Sequence, residues 1–138
     1  MAVQQAKLTA VEFEINLDKN VDEIATDEAM VRQILDNLLS NAIDALGENG
    51  GRISVTTARD GDRVSIEVAD SGSGIPSELV ASIFDPFFST KGPGKGYGLG
   101  LAICSTLAES LGGAITVESK EGAGSRFRLW IPRRAPEK

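Results

Sequence analysis

One segment constrains the fold more than any other: "TDEAMVRQILDNLLSNAIDALGENGG", residues 26–51. Val31, Ile34, Leu35, Leu38, Leu39, Ala42, Ile43 and Leu46 recur at helical spacing. They form a broad apolar face that must be buried against another layer. Thr26 or Asp27 is placed to cap the start, acidic residues fill the first turn, and Gly47 with Asn49-Gly50-Gly51 closes the helix. The flanking segments supply the other layer. "VEFEINLD" (11–18) alternates apolar and polar residues with the period of a half-buried strand. "RISVTTARDGDRVSIEVAD" (52–70) reads as a hairpin turning at Asp60-Gly61-Asp62.

Further on, "SELVASIF" (77–84) reads as a short helix capped by Ser77. "DPFFSTKGPGKGYG" has no periodicity and reads as a loop. "LGLAICSTLAESLGG" (99–113) is a second long helix ending at Gly112-Gly113, and "AITVESKEGAGSRFRLWIP" (114–132) a closing strand pair. This order predicts an α+β fold, a mostly antiparallel sheet covered on one face by helices. One domain is expected over 1–138, with residues 1–8 the tail of an upstream connector.

Composition narrows the chemistry. The chain has no histidine, which removes the commonest general base, the usual zinc ligand and any Ser-His or Cys-His nucleophile pair. Metal work then falls to oxygen ligands, which suit Mg²⁺ or Ca²⁺. A net charge of -6 with no basic stripe argues against nucleic acid as a partner. The single cysteine, Cys104, excludes an internal disulfide framework and reads as core packing in a reducing compartment. No signal-peptide pattern opens the chain and no apolar run is of spanning length, so a cytoplasmic, monomeric domain without membrane contact is expected.

Four sites carry chemistry. Gln33, Asn37, Asn41 and Asp44 lie within about 80° of one another beside the apolar helix face, with the two asparagines one turn apart. The stripe is either simply solvated or a pair of amide oxygens facing a hydrated divalent cation, since asparagine is a poor interior helix residue. In "DSGSGIP" (70–76), Gly72 and Gly74 permit a tight turn and close approach to a flat ligand. Asp70 offers an acceptor for an exocyclic amine such as that of adenine, although an Asx-type turn fits the same residues. Phe84, Phe87 and Phe88 form an aromatic cluster that pins a loop to the body, with Lys91 just beyond it within reach of a phosphate. Finally, "GPGKGYGLGLAI" (92–103) alternates Gly92, Gly94, Gly96, Gly98 and Gly100 into the start of a helix, whose free N–H groups favour an anion. Its spacing matches neither a P-loop nor a dinucleotide fingerprint.

The four sites in this order resemble the catalytic ATP-binding domain of bacterial sensor histidine kinases, of the superfamily that includes gyrase B, Hsp90 and MutL. "NLLSNAIDA" looks like the N box, "DSGSGIP" the G1 box, "IFDPFFSTK" the F box and "GYGLGLAI" the G2 box, while "EGAGSRFRLWIP" is similar to the G3 region. The wording "PFFSTK…GKGYGLGL" is closest to sensors of the nitrogen-regulation and dicarboxylate-sensing type. The resemblance covers residues from about 11 to 132 and implies the Bergerat fold, a two-layer α/β sandwich. Its mixed sheet of about five strands is covered on one face by three helices.

The resemblance also implies roles. Asn41 would bind Mg²⁺, with Asn37 one turn earlier supporting metal or phosphate and counted with Lys91 as catalytic. Asp70 would accept from the adenine amino group in a pocket shaped by Gly72, Gly74, Ile75 and Phe84. Lys95, Gly96, Tyr97, Gly98, Leu99, Gly100 and Leu101 would form the ATP lid, and Lys91 would approach the γ-phosphate. Relatives that hydrolyse ATP carry a glutamate where this chain has Asn37, so slow hydrolysis is implied. Asp44 stands where relatives often have lysine, and Tyr97 where many have a small residue. The expected activity is transfer of the γ-phosphoryl group of Mg-ATP to a histidine on a separate dimerisation domain of a parent kinase. A response regulator would act downstream. The alternatives are an anti-sigma-type serine kinase and a nucleotide-gated interaction module.

Overall fold

The computed structural model describes residues 11–18, 27–47, 50–84 and 100–132. The element order is β1 (Val11–Asn16), α1 (Glu28–Leu46), β2 (Gly51–Asp60), β3 (Arg63–Asp70), α2 (Ser77–Val80), α3 (Gly100–Ser110), β4 (Ala114–Lys120) and β5 (Gly124–Pro132). One five-stranded sheet has the order β1-β2-β3-β5-β4. Only β1 and β2 run parallel, joined through α1, and the other pairings are antiparallel. This is the mixed sheet that the sequence led us to expect.

The long helix starts where a capping acid allows it. Of the two candidates, Asp27 is the cap, its Oδ1 accepting from the Met30 N–H at 3.2 Å. Ile34, Leu38, Ala42 and Leu46 are buried at successive turns, with Val31, Leu35, Leu39 and Ile43 packed partly buried around them. Helix α1 lies over β2, β3 and β5 and against α3.

Register sorts the sheet into rows, because side chains on a strand alternate between faces. On the helix-covered face, Val55, Val68, Phe127 and Val117 form one row across β2, β3, β5 and β4. Ile66, Leu129 and Ile115 form the next. The row beyond Val68, at the C-terminal end of β3, changes character: after Ile53 on β2 it reads Asp70, Ser125 and Ser119. The opposite face is polar. There Trp130 lies under the guanidinium groups of Arg63 (4.5 Å) and Arg128 (5.4 Å), and Arg128 pairs with Glu67 at 2.8 Å.

Two local expectations are corrected. Helix α2 is a single turn, Ser77–Val80, followed by turns rather than a helix through Phe84, and Pro76 instead of Ser77 stands at its cap without a side-chain bond. Four residues leave too little room for a propagating helix. Strand β1 is not half-buried along its length: Val11 is buried, but Phe13 and Ile15 are 49% and 65% exposed. β1 is an edge strand outside the footprint of α1 on β2, β3 and β5.

Leu38 and Val68 are both 1% exposed at the contact between helix and sheet. Leu38→Ala should therefore cost about 2–5 kcal/mol in urea denaturation, whereas Ile15→Ala on the exposed edge should cost less than about 1 kcal/mol.

Candidate functional site

The polar row at the end of β3 is the floor of the candidate site. Asp70 is the last residue of that strand and only 9% exposed. Its Oδ1 accepts from the Gly72 N–H at 2.9 Å, and the carboxylate also accepts from the backbone N–H of Ser125. Burial pushes the Asp70 carboxyl above its ordinary value, and the two N–H bonds offset that only partly. Two oxygens carry about four acceptor sites, so two bonds leave capacity for a ligand donor. The Asx-type turn and the acceptor role are thus compatible: the same carboxylate closes the turn and faces the site.

The loop after Asp70 is held on two sides. The Ser73 N–H donates to the Ala45 carbonyl on α1 (3.3 Å), and the Ser73 carbonyl accepts from the Gly122 N–H in the β4–β5 hairpin (2.7 Å). The Ile75 N–H donates to Ser119 Oγ on β4 at 2.7 Å. These tethers explain the glycines. A Cβ on Gly72 would sit 2.5 Å from the Ala45 carbonyl oxygen. A Cβ on Gly74 would collide with the Lys120 carbonyl, and its φ of +72° disfavours any side chain.

Helix α1 carries its asparagines on the stripe that ends at Ala45. Asn37, Asn41 and Ala45 follow one another at single-turn spacing, and Ala45 is the residue that meets Gly72 and Ser73. Asn37, Asn41 and Asp44 are partly buried, while Gln33 is exposed. The Asn37 carboxamide bonds the thiol of Cys104 on α3, and the Cys104 Sγ also lies 3.8 Å from the Ile34 carbonyl. Burial raises the thiol pKa and the Asn37 contact lowers it, with burial the larger effect. Cys104 is fully buried, in keeping with the packing role read from sequence.

Phe84 is partly buried against the core and meets Phe127 edge to face at 6.4 Å. Leu101 packs on the same core just after Gly100, which opens α3. Ile75 likewise packs against the core. Phe87, Phe88, Lys91, Gly92, Gly94, Lys95, Gly96, Tyr97, Gly98 and Leu99 lie outside the described residues. Sequence reasoning missed Ser119 and Ser125. The alternation of β4 and β5 puts them on the covered face, and two hydroxyls in an apolar row were the available signal.

No group of three or more Cys, Asp or Glu side chains able to hold a metal occurs among the described residues. The donors present at α1 are neutral carboxamides. They suit a hard cation that keeps most of its coordination from phosphate oxygens and water.

The raised carboxyl of Asp70 fixes a sign. A group that holds its proton more tightly when folded loses stability as pH rises from the unfolded pKa, near 3.8, through its folded value. Asp70→Asn should accordingly raise the ligand-free thermal midpoint at pH 7, and that advantage should disappear below about pH 4. Thermal melts of both proteins across this range check it. Separately, Gly74→Ala should lower the midpoint by several degrees, since backbone rather than a flexible side chain blocks the added carbon.

Known proteins are similar to this chain in sequence and in fold. Sensor histidine kinase ZraS from Escherichia coli O157:H7 is 42% identical over 129 residues, covering 94% of this chain and 28% of that protein. Alginate biosynthesis sensor protein KinB from Pseudomonas aeruginosa is 35% identical over 130 residues, covering 94% of this chain and 22% of that one. The chain therefore spans about a quarter of the length of these relatives. Among solved structures, the nucleotide-free catalytic domain of histidine kinase ThkA superposes with a TM-score of 0.80 at 36% identity, covering 96% of this chain and 86% of that one. Full-length ShkA in complex with AMPPNP superposes with a TM-score of 0.74 at 30% identity, covering 99% of this chain and 30% of that one. Residues 26–135 match the family described as histidine kinase-, DNA gyrase B-, and HSP90-like ATPase. The chain belongs to that family, as a catalytic domain of the sensor histidine kinase kind.

Proposed function

We propose that this chain binds Mg-ATP and donates the γ-phosphoryl group to a histidine on a separate phosphoacceptor domain of a parent kinase. The observation that carries the nucleotide reading is Asp70, a buried carboxylate with two backbone donors and remaining acceptor capacity. An adenine amino group supplies the missing donor. Gly72 and Gly74 let the loop beside it pack against the Ala45 and Lys120 carbonyls, which holds that loop in place. ThkA and ShkA, which share the fold at 36% and 30% identity, support the same reading, and ShkA was solved with AMPPNP.

Asn41 and Asn37 would hold Mg²⁺ through carboxamide oxygens, and the ion would neutralise phosphate charge. In the transfer, a histidine nitrogen bonds to the γ-phosphorus as the bond to the β–γ bridging oxygen breaks, and ADP leaves with that oxygen. Such a reaction asks for positioning and charge compensation more than for protein-derived covalent chemistry. Asn37 cannot accept a proton from water, so transfer to a better nucleophile outruns hydrolysis. This chain contains no histidine, so the acceptor lies elsewhere. Lys91 near the γ-phosphate, and Lys95, Gly96, Tyr97, Gly98, Leu99, Gly100 and Leu101 as the lid, belong to the same proposal. So do a downstream response regulator, a cytoplasmic setting where ATP is present, and kinship with nitrogen-regulation and dicarboxylate sensors. No helix among the described residues is long and apolar enough to cross a membrane.

Calorimetric titration with ADP and Mg²⁺ tests the nucleotide reading, and no binding would overturn it. Asn41→Ala should remove the Mg²⁺-dependent part of the affinity while leaving the thermal midpoint within a few degrees. Asp70→Asn should lose about tenfold or more of the preference for ATP over GTP, the scale of a hydrogen bond to a charged group. Adding the purified phosphoacceptor domain of the parent in trans should yield phosphohistidine. Nucleotide binding without transfer would favour an interaction module instead.

A further inference from the structure

The β4–β5 hairpin reaches the loop after Asp70 through one side chain, Ser119. A hydroxyl has one proton and two lone pairs. In Ser119 all three are used. Its O–H donates to the Gly124 carbonyl at 3.1 Å, and its oxygen accepts from the Ile75 N–H at 2.7 Å. Ser125 Oγ, at 2.8 Å, completes the set as a donor to the remaining lone pair. Ser119 and Ser125 pair directly across β4 and β5, and Ser125 pairs with Asp70 across β5 and β3.

The arrangement has a consequence for the site. The Ser125 backbone N–H is one of two donors to the Asp70 carboxylate, and the Gly72 N–H is the other. Ser119 therefore stands at the junction of two supports. Through Ser125 it fixes the strand that bonds Asp70, and through Ile75 it fixes the far end of the loop that begins at Asp70. Other bonds tie the middle of that loop, at Ser73, through backbone atoms alone. Among the described residues, Ser119 supplies the recorded side-chain bond that holds the loop to the sheet beyond Gly72.

We propose that Ser119 is a positioning residue for nucleotide recognition: its hydroxyl sets the distance between the Asp70 carboxylate and the Ile75 backbone, and so the width of the slot for the base. It touches no ligand itself. This rests on the nucleotide reading above, but its first test does not depend on it. A displacement of roughly 1 Å in a site of this kind is enough to weaken recognition markedly, and an unpaired, partly buried N–H prefers to move toward water.

The test uses the full chain with Ser119→Ala and Ser119→Thr, the latter restoring an oxygen at the same place. Amide hydrogen exchange is measured at Ile75, with Val68 and Leu129 in the core as references. Ser119→Ala should speed exchange at Ile75 about tenfold while leaving Val68 and Leu129 unchanged, and Ser119→Thr should return it toward the wild-type rate. Calorimetry with ADP and Mg²⁺ should show about five- to tenfold weaker binding for Ser119→Ala, recovered in Ser119→Thr. Unchanged exchange at Ile75 overturns the positioning role, as does faster exchange that extends equally to Val68 and Leu129. Unaltered affinity alongside faster Ile75 exchange also overturns it. If wild-type protein binds no ADP, the nucleotide reading fails while the Ile75 result still stands or falls alone.

Discussion

Among the described residues the helices cover one face of the sheet, and the rest of the described structure follows from sharing it. The apolar side chains of α1 and α3 and of the central strands have a single layer in which to leave water. Two rows of that layer are filled by Val55, Val68, Phe127 and Val117 and by Ile66, Leu129 and Ile115. The site is made by interrupting the same layer at one end. Where the next row would continue with aliphatic residues, Asp70, Ser125 and Ser119 take their places. The candidate site is thus continuous with the core, one row away from Val68 and Phe127.

That interruption is energetically costly, and its distribution explains the chemistry. Burying a carboxylate with two backbone donors leaves it short of what water gave it. A ligand that brings a further N–H recovers part of the difference, so an empty site is less comfortable than a filled one. The asparagines on α1 behave differently. As neutral carboxamides they carry no comparable desolvation cost, and Asn37 has a partner in Cys104 when no ligand is present. One half of the site is thus primed by electrostatics and the other half by geometry.

Much of this was readable from residue order. The period change from helix to strand gave the layers, and the pair Asn37 and Asn41 beside an apolar stripe marked the candidate edge of α1. Asp70, Gly72 and Gly74 stood out because they follow an apolar strand, although the sequence left an Asx-type turn and an acceptor for a ligand equally open, and the structure shows the turn. What could not be read were relations between distant segments. Gly74 reads in the sequence as a tight turn allowing close approach of a flat ligand, and the structure shows the Lys120 carbonyl lying against it. Ser119 is an ordinary strand residue until register sets it opposite Ser125 and beneath Ile75. Phe13 and Ile15 have the alternation of buried residues, but alternation reports which face a side chain takes and not whether that face is covered.

The position of β5 carries one more meaning. It follows β4 in the chain but lies between β3 and β4 in the sheet. A ribosome therefore releases both neighbours of the middle place before the strand that fills it. Until Gly124–Pro132 has emerged, β3 and β4 each present a bare edge, and Asp70 has yet to meet the Ser125 N–H. Pairing of β5 with both neighbours and completion of the Asp70 hydrogen bonds thus wait on the same segment. A nascent chain stalled before Ser125 lacks both the strand that joins β3 to β4 and one of the two backbone donors to Asp70.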